Sequence, residues 1–266
     1  MSPARFLERS SAYCARFAIA IQNLGFLDAI RVFAWIRGGP QLRSLDSRRL
    51  GRKVFFRGYA DKGVISHFFY PGTRILDTPE CPVRVIVDAG ANIGVETIRM
   101  RHFFPGARVF SVEPASANYS VLQKNAEQDK GMVETTQNGL WSSETSLKVI
   151  PGLGNEAFSV RPVEPGESAD IEAITMNSIL ARVGGEIDIL KLDIEGAEWE
   201  LFRVNTEWVN HVKAFVFECP DGERPGATFQ IFRMLDNLPL TAFISGENIV
   251  LIRRDTGWKV VTTQYL

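Results

Sequence analysis

The 266-residue sequence has little cysteine and histidine, three of each, and no excess of charge of either sign. Cys14, Cys81 and Cys219 are too few, too far apart and odd in number for a disulfide framework, and no CxxC pair offers a zinc site. A reduced, cytoplasmic setting is the expectation that follows. No apolar run approaches the ~18 residues that a membrane-spanning helix needs. The run Phe17–Ile21 is too short for the apolar core of a secretory signal. The 30 Lys+Arg and 31 Asp+Glu leave a formal charge of −1, a balance that argues against nucleic acid as a partner. What is present is ordinary globular composition, 45% hydrophobic and 23% charged. A chain this long buries roughly three quarters of its unfolded surface, enough for one full α/β core.

The near-neutral total hides an uneven distribution. Residues 1–60 hold eleven basic side chains against three acidic ones, a net +8, so the remainder carries −9. Apolar residues over 3–37 recur at helical spacing, broken near Gly25 and stopped at Gly38-Gly39-Pro40. Such a basic, amphipathic segment could lie on an anionic membrane through Phe17, Ile21, Phe33 and Trp35. The more ordinary reading packs its stripe on the following domain or on a second subunit.

From Lys53 to Thr78 the pattern turns to short β-like pieces, and after Pro82 strands and helices alternate. Strands are expected at 83–89, 108–113, 133–140, 187–192 and 214–219, with helices at 93–104, 116–128, 176–183, 195–204 and 228–237. Residues 240–244 and 248–253 read as an antiparallel hairpin at the end, and 141–170 as an exposed excursion with one strand-like piece at 147–150. Alternation at this spacing predicts a doubly wound α/β fold with a mostly parallel sheet covered on both faces. The chain thus divides into a basic helical segment (1–52), a cap on the acceptor side (53–82) and the α/β domain (83–266).

Three motifs carry chemistry. The first strand-to-helix turn reads Asp88-Ala89-Gly90-Ala91-Asn92-Ile93-Gly94. Gly90 permits a tight turn, Gly94 lets the helix start close to the sheet, and the helix start offers N–H groups to an anion. It is not the dinucleotide fingerprint, because Asn92 stands where the middle glycine lets a pyrophosphate approach. Asp88 suits a cationic ligand group such as an α-ammonium. The bland alternative is a plain βα turn with a capping asparagine. Glu113 ends the second strand, 25 residues after Asp88, where an acid can accept from two adjacent ribose hydroxyls. Together the two describe a pocket for an adenosine joined to a zwitterionic tail. The third motif, Lys191-Leu192-Asp193-Ile194-Glu195-Gly196-Ala197-Glu198, places a charge at every second residue from Lys191 to Glu195. If the strand continues through it, Lys191, Asp193 and Glu195 share one side.

Taken in order, these motifs resemble the FkbM-type S-adenosylmethionine-dependent methyltransferases over about residues 53–255. The resemblance implies a Rossmann-like sheet of seven strands with the last pair antiparallel. It also implies methyl transfer, usually to oxygen, on a sugar, polyketide, peptide or related acceptor. Its cofactor residues fall here on Asp88, Gly90, Ala91, Asn92, Gly94 and Glu113. Asn138 joins them, although its loop departs from the small-residue run usual in the family.

A hydroxyl acceptor needs a place for its proton. Asp193 is the first candidate, then Glu218 at the end of the fifth strand, then Glu195. Asp193 and Glu218 could also hold Mg²⁺ or Ca²⁺, but two carboxylates are an incomplete ligand set and no metal site is assigned. His67, lone among aromatics, reads as packed rather than catalytic, and Cys219 as a buried thiol rather than a nucleophile. Two other classes stay open: a non-catalytic scaffold that keeps the pocket and binds a partner through its basic arm, and, more remotely, an NAD(P)-dependent oxidoreductase using Glu113 for a ribose.

Overall fold

The computed structural model describes residues 25–35, 39, 41–47, 50–61, 72–152, 158–222, 224–245 and 248–263, together with Ala18 and Ile21. They fall into two units, Met1–Gly72 with Thr262–Leu266, and Thr73–Val261.

In the first unit, helix α1 (Phe26–Trp35) buries Ala29 and Val32, and a hairpin of β1 (Arg43–Ser47) and β2 (Arg52–Phe56) pairs Leu45 with Val54. Val54 and Phe56 alternate inward along β2, and the Trp35 ring lies 5.9 Å from that of Phe56. Arg57 donates from its backbone amide and its guanidinium to the buried carboxylate of Asp61, which closes a single 3₁₀ turn. Cys14, Phe17, His67 and the Phe68-Phe69 pair lie outside the described residues.

Strand β3 (Gly72–Leu76) leads into the second unit. There β4 (Val85–Ala89), α2 (Val95–Phe103), β5 (Arg108–Val112), α3 (Ser116–Ala126) and β6 (Val133–Thr136) alternate as expected. After β7 (Gly139–Leu140), β8 (Ser146–Pro151), β9 (Phe158–Pro162) and β10 (Ile171–Ile174) come α4 (Met176–Val183), β11 (Ile187–Leu192), the single turn α5 (Glu198–Leu201), β12 (Val212–Glu218) and α6 (Ala227–Met234). Strands β13 (Leu240–Ser245), β14 (Asn248–Arg253) and β15 (Lys259–Thr263) complete the fold.

The main sheet has seven strands in the order β13-β14-β12-β11-β4-β5-β6, parallel from β12 to β6, with β14 antiparallel to both of its neighbours. Alternate residues feed two cores. Val87, Phe110, Leu190 and Phe215 pack on one face with Ile179 and Trp208, whereas Ile86, Val109, Ile189 and Ala214 pack on the other with Phe104 and Trp258. A parallel sheet must be covered on both sides in this way, and its carboxyl edge is then the free place for a ligand.

Four expectations differ from the structure. The strand expected at 133–140 is two strands, since the chain leaves the main sheet after Thr136 and β7 pairs with β10. The 141–170 excursion is not irregular: β7, β10, β8 and β9 form a four-stranded sheet of their own. Turn-forming Gly, Pro and Ser masked its strands, although Leu147 is fully buried there. The helix expected at 195–204 shrinks to one turn because Glu195 and Gly196 take φ of 53° and 91°, which no α-helix accommodates. The pair β13–β14 is not the last element, for β15 follows and pairs with β3. Among the described residues, no helix is long and apolar enough to cross a membrane.

Candidate active site

The turn after β4 hangs on the end of β5: the amides of Gly90 and Ala91 donate to the Val112 carbonyl at 3.0 and 2.9 Å. Gly90, Asn92 and Gly94 have φ of 77°, 52° and 87°. Asparagine tolerates this left-handed region better than other non-glycine residues, so Asn92 can replace a glycine without unmaking the turn. The chain then enters α2, whose first amides have no partner within the helix and lie at its positive end.

Asp88 is fully buried at the carboxyl end of β4. Its Oδ2 accepts from Thr97 Oγ1 at 2.6 Å, and Thr97 meets Ser111 at 2.9 Å. Its Oδ1 accepts no hydrogen bond, with Lys191 Nζ 3.5 Å away. Burial pushes the Asp88 carboxyl up, against the pull of Lys191. Lys191, 8% exposed, also lies 3.0 Å from Asp193 Oδ2 and donates to the Gly90 carbonyl at 3.3 Å. Burial alone would lower this ammonium, but the charges of Asp193, Asp88 and Glu96 hold it above its ordinary range. The Asp193 amide donates to the Ala89 carbonyl at 3.0 Å, and the Asp193 side chain keeps 32% of its exposure. One buried cation therefore joins a sealed carboxylate to a solvent-facing one.

Glu113, 3% exposed, accepts from the amides of Asn92 (2.8 Å, Oε2) and Ala115 (2.9 Å, Oε1) and from Asn118 Nδ2 (3.3 Å, Oε1). Burial raises its carboxyl to about 7, against those three donors. A carboxylate offers about four acceptor positions, so the described bonds leave about one rather than room for two hydroxyls. Asn138 accepts from Thr136 Oγ1 and donates to the Glu172 carbonyl at 2.9 Å. Its amide braces the step from β6 to β7.

The side-by-side placement of Lys191 and Asp193 holds, but β11 ends at Leu192 and the left-handed Glu195 breaks the alternation, so Glu195 does not continue that row. Glu198, 4% exposed, accepts from the amides of Ile194 (2.9 Å) and Gly196 (2.8 Å) and clamps the turn. Burial pushes its carboxyl up, against those bonds. Leu192 pairs with Phe217 in the parallel register, so Asp193 and Glu218 each stand one residue beyond that pair. Among the described residues, no group of three or more His, Cys, Asp or Glu could hold a metal ion. Cys219 is exposed rather than buried, with Sγ 3.1 Å from Thr228 Oγ1. Strand β12 stops at Glu218, before the thiol.

Thr97, Ser111 and the clamping role of Glu198 escaped sequence reasoning. Thr97 stands nine residues from Asp88 and belongs to no motif. The spacing of Glu198, two residues past Gly196, was the available signal.

The sequence model of the methyltransferase FkbM domain matches residues 88–232. Methyltransferase sdnD of Sordaria araneosa is 31% identical over 177 residues, covering 53% of this chain and 68% of that protein. Methyltransferase 1 of Beauveria bassiana (strain ARSEF 2860) is 29% identical over 167 residues, covering 54% and 67%. Among solved structures, the methyltransferase domain of METTL16 aligns with a TM-score of 0.40 and 11% identity over 66% of this chain and 61% of that one.

Proposed function

The chain belongs to the FkbM methyltransferase family, and on that premise we propose that it transfers a methyl group from S-adenosylmethionine to a hydroxyl oxygen of a glycan or small natural-product acceptor. One observation carries this reading. At the carboxyl edge of the sheet, Lys191 bridges Asp88, buried with one oxygen free of hydrogen bonds, and Asp193, which solvent reaches.

The residues fit the cofactor. The free Oδ1 of Asp88 lacks a donor that an α-ammonium would supply, the first amides of α2 suit a carboxylate, and Glu113 keeps an acceptor position for a ribose hydroxyl. When bound, S-adenosylmethionine supplies a methyl group already activated by its sulfonium. Residues 88–94 and Glu113 hold the donor in place, and such positioning can remove roughly 7–11 kcal/mol of barrier. Asp193 keeps Oδ2 on Lys191 at 3.0 Å, which leaves Oδ1 to orient the acceptor hydroxyl and take its proton as the C–O bond forms. Glu218 and Glu195 are second and third for that role, and Asn138 serves the cofactor indirectly by holding the β6–β7 loop. The thiols Cys81 and Cys219 support a reducing, cytoplasmic setting.

Methyl-labelled S-adenosylmethionine offered with hydroxylated glycans and natural products tests the reading. Label should enter an ether and be lost when the accepting hydroxyl is replaced by hydrogen. Asp193→Asn should lower kcat about 10²–10⁴-fold. Label on nitrogen or carbon would overturn the oxygen-directed reading, and an unaffected Asp193→Asn would overturn the role given to Asp193.

A further inference from the structure

One face of the main sheet changes character towards its carboxyl edge. Ile86, Val109 and Ile189 are neighbours in register on that face, and two residues further on the neighbours are Asp88, Ser111 and Lys191. Thr97 of α2 meets this second row. Asp88, Ser111 and Thr97 are all buried, in a place where apolar side chains would pack without the cost of enclosing a hydroxyl. The Asp88 carboxylate only accepts, so the single proton of Thr97 Oγ1 goes to Asp88 Oδ2 at 2.6 Å. The 2.9 Å contact between the two hydroxyls is then a bond that Ser111 donates to Thr97. Both O–H groups therefore point along one chain towards Asp88. Among the described residues, the Ser111 hydroxyl has no other hydrogen-bond partner.

We infer that Thr97 and Ser111 are positioning residues for the cofactor: their chain holds Asp88 by Oδ2, so that Oδ1 is the oxygen offered to the α-ammonium. The inference rests on the S-adenosylmethionine reading of this site and adds to it two residues that act through Asp88. Two aligned hydroxyls stabilise the ionised carboxyl where burial disfavours it. The charged groups that face Asp88 divide. Lys191 of β11 favours ionisation, whereas Glu96 of α2 and Asp193 beyond β11 oppose it. The hydroxyl chain therefore sides with Lys191 in keeping a carboxylate ready for a cationic ligand.

Thr97→Val combined with Ser111→Ala removes the chain and leaves no hydroxyl stranded. Without its donor the Asp88 carboxyl rises further, which has two signatures of opposite sign. In calorimetric titration near about pH 6, affinity for S-adenosylhomocysteine should fall roughly 10–100-fold below wild type. That gap should narrow as pH rises and Asp88 ionises unaided. In denaturant unfolding of the protein without ligand, the deficit should instead grow with pH, because an acid with a raised folded pKa loses stability as pH rises through it. Thr97→Ser alone should behave as wild type in both measurements. The analogue of S-adenosylhomocysteine that lacks the α-amino group should bind wild type and double variant alike. Lost packing alone would give deficits that ignore pH. That result, or equal weakening of both compounds, would overturn the inference while wild-type binding of S-adenosylhomocysteine left the cofactor reading standing. A folded wild type that does not bind S-adenosylhomocysteine would overturn the cofactor reading and this inference with it.

Discussion

Gly90→Ala should destroy the site outright. A Cβ at this position would lie 1.7 Å from the Asp193 carbonyl oxygen and 2.7 Å from its carbonyl carbon, far inside any permitted contact. The obstacle is backbone, so no side chain can swing aside. Gly90 has a φ of 77°, and the neighbouring Ala89 carbonyl accepts from the Asp193 amide at 3.0 Å, which fixes the two strand ends together. Relief requires parting β4 from the end of β11, where Lys191 also joins them. A loss of about 4 kcal/mol or more is expected, at the upper end for a single substitution, with binding of S-adenosylhomocysteine lost too. Gly106→Ala is the control: nothing lies within 4 Å of its Cβ, and its cost should stay within about 0.5 kcal/mol. Denaturant unfolding and calorimetric titration of both variants check this. Wild-type stability in Gly90→Ala would mean that the two loops do not pack as described.

Lys191→Met should be nearly as damaging, for an electrostatic reason. Removing this cation leaves the Asp88 carboxylate in a site of zero exposure with only Thr97 as donor. Breaking one side of a buried ion pair costs about 3–5 kcal/mol, mostly the penalty of the stranded charge. The sign with pH follows from the direction of the Asp88 shift. Its folded pKa is raised, and loss of Lys191, which opposes that rise, lifts it further. An acid with a raised folded pKa contributes stability below its unfolded pKa and loses it as pH rises through the folded one. The deficit of Lys191→Met should therefore be smallest in acid and grow towards neutrality. Asp88→Asn in the same chain should restore much of the loss at neutral pH. A deficit that ignores pH, or a double variant no better than Lys191→Met, would show that Asp88 is not the stranded group.

Much of this was legible in sequence where local pattern and long-range packing agree. The run Ile187–Leu192 matched its strand because a doubly covered parallel strand is apolar on both faces. Gly90, Asn92 and Gly94 were legible because the turn needs their left-handed conformations. Elsewhere the determinants were distant. The sheet of β7–β10 draws on cross-strand pairs up to 34 residues apart, such as Ala173 opposite Gly139, which no window of periodicity reveals. The left-handed Glu195 depends on Glu198 bonding back to Ile194 and Gly196, so an apparently helical stretch begins as a clamped turn. Phe33 and Trp35 look as available as Phe26 and Leu27 until Phe56, more than twenty residues on, takes Trp35.

The most direct test of the account is calorimetric titration of the folded protein with S-adenosylhomocysteine, with NAD⁺ as the control. Binding of the first and not the second is expected. The affinity should rise up to about tenfold between pH 6 and 8, because hydroxyl donors prefer the ionised form of Glu113, whose carboxyl titrates at about 7. A folded sample that binds neither compound would contradict the enzyme reading in favour of a scaffold, and one that binds NAD⁺ instead would contradict the assignment of the cofactor.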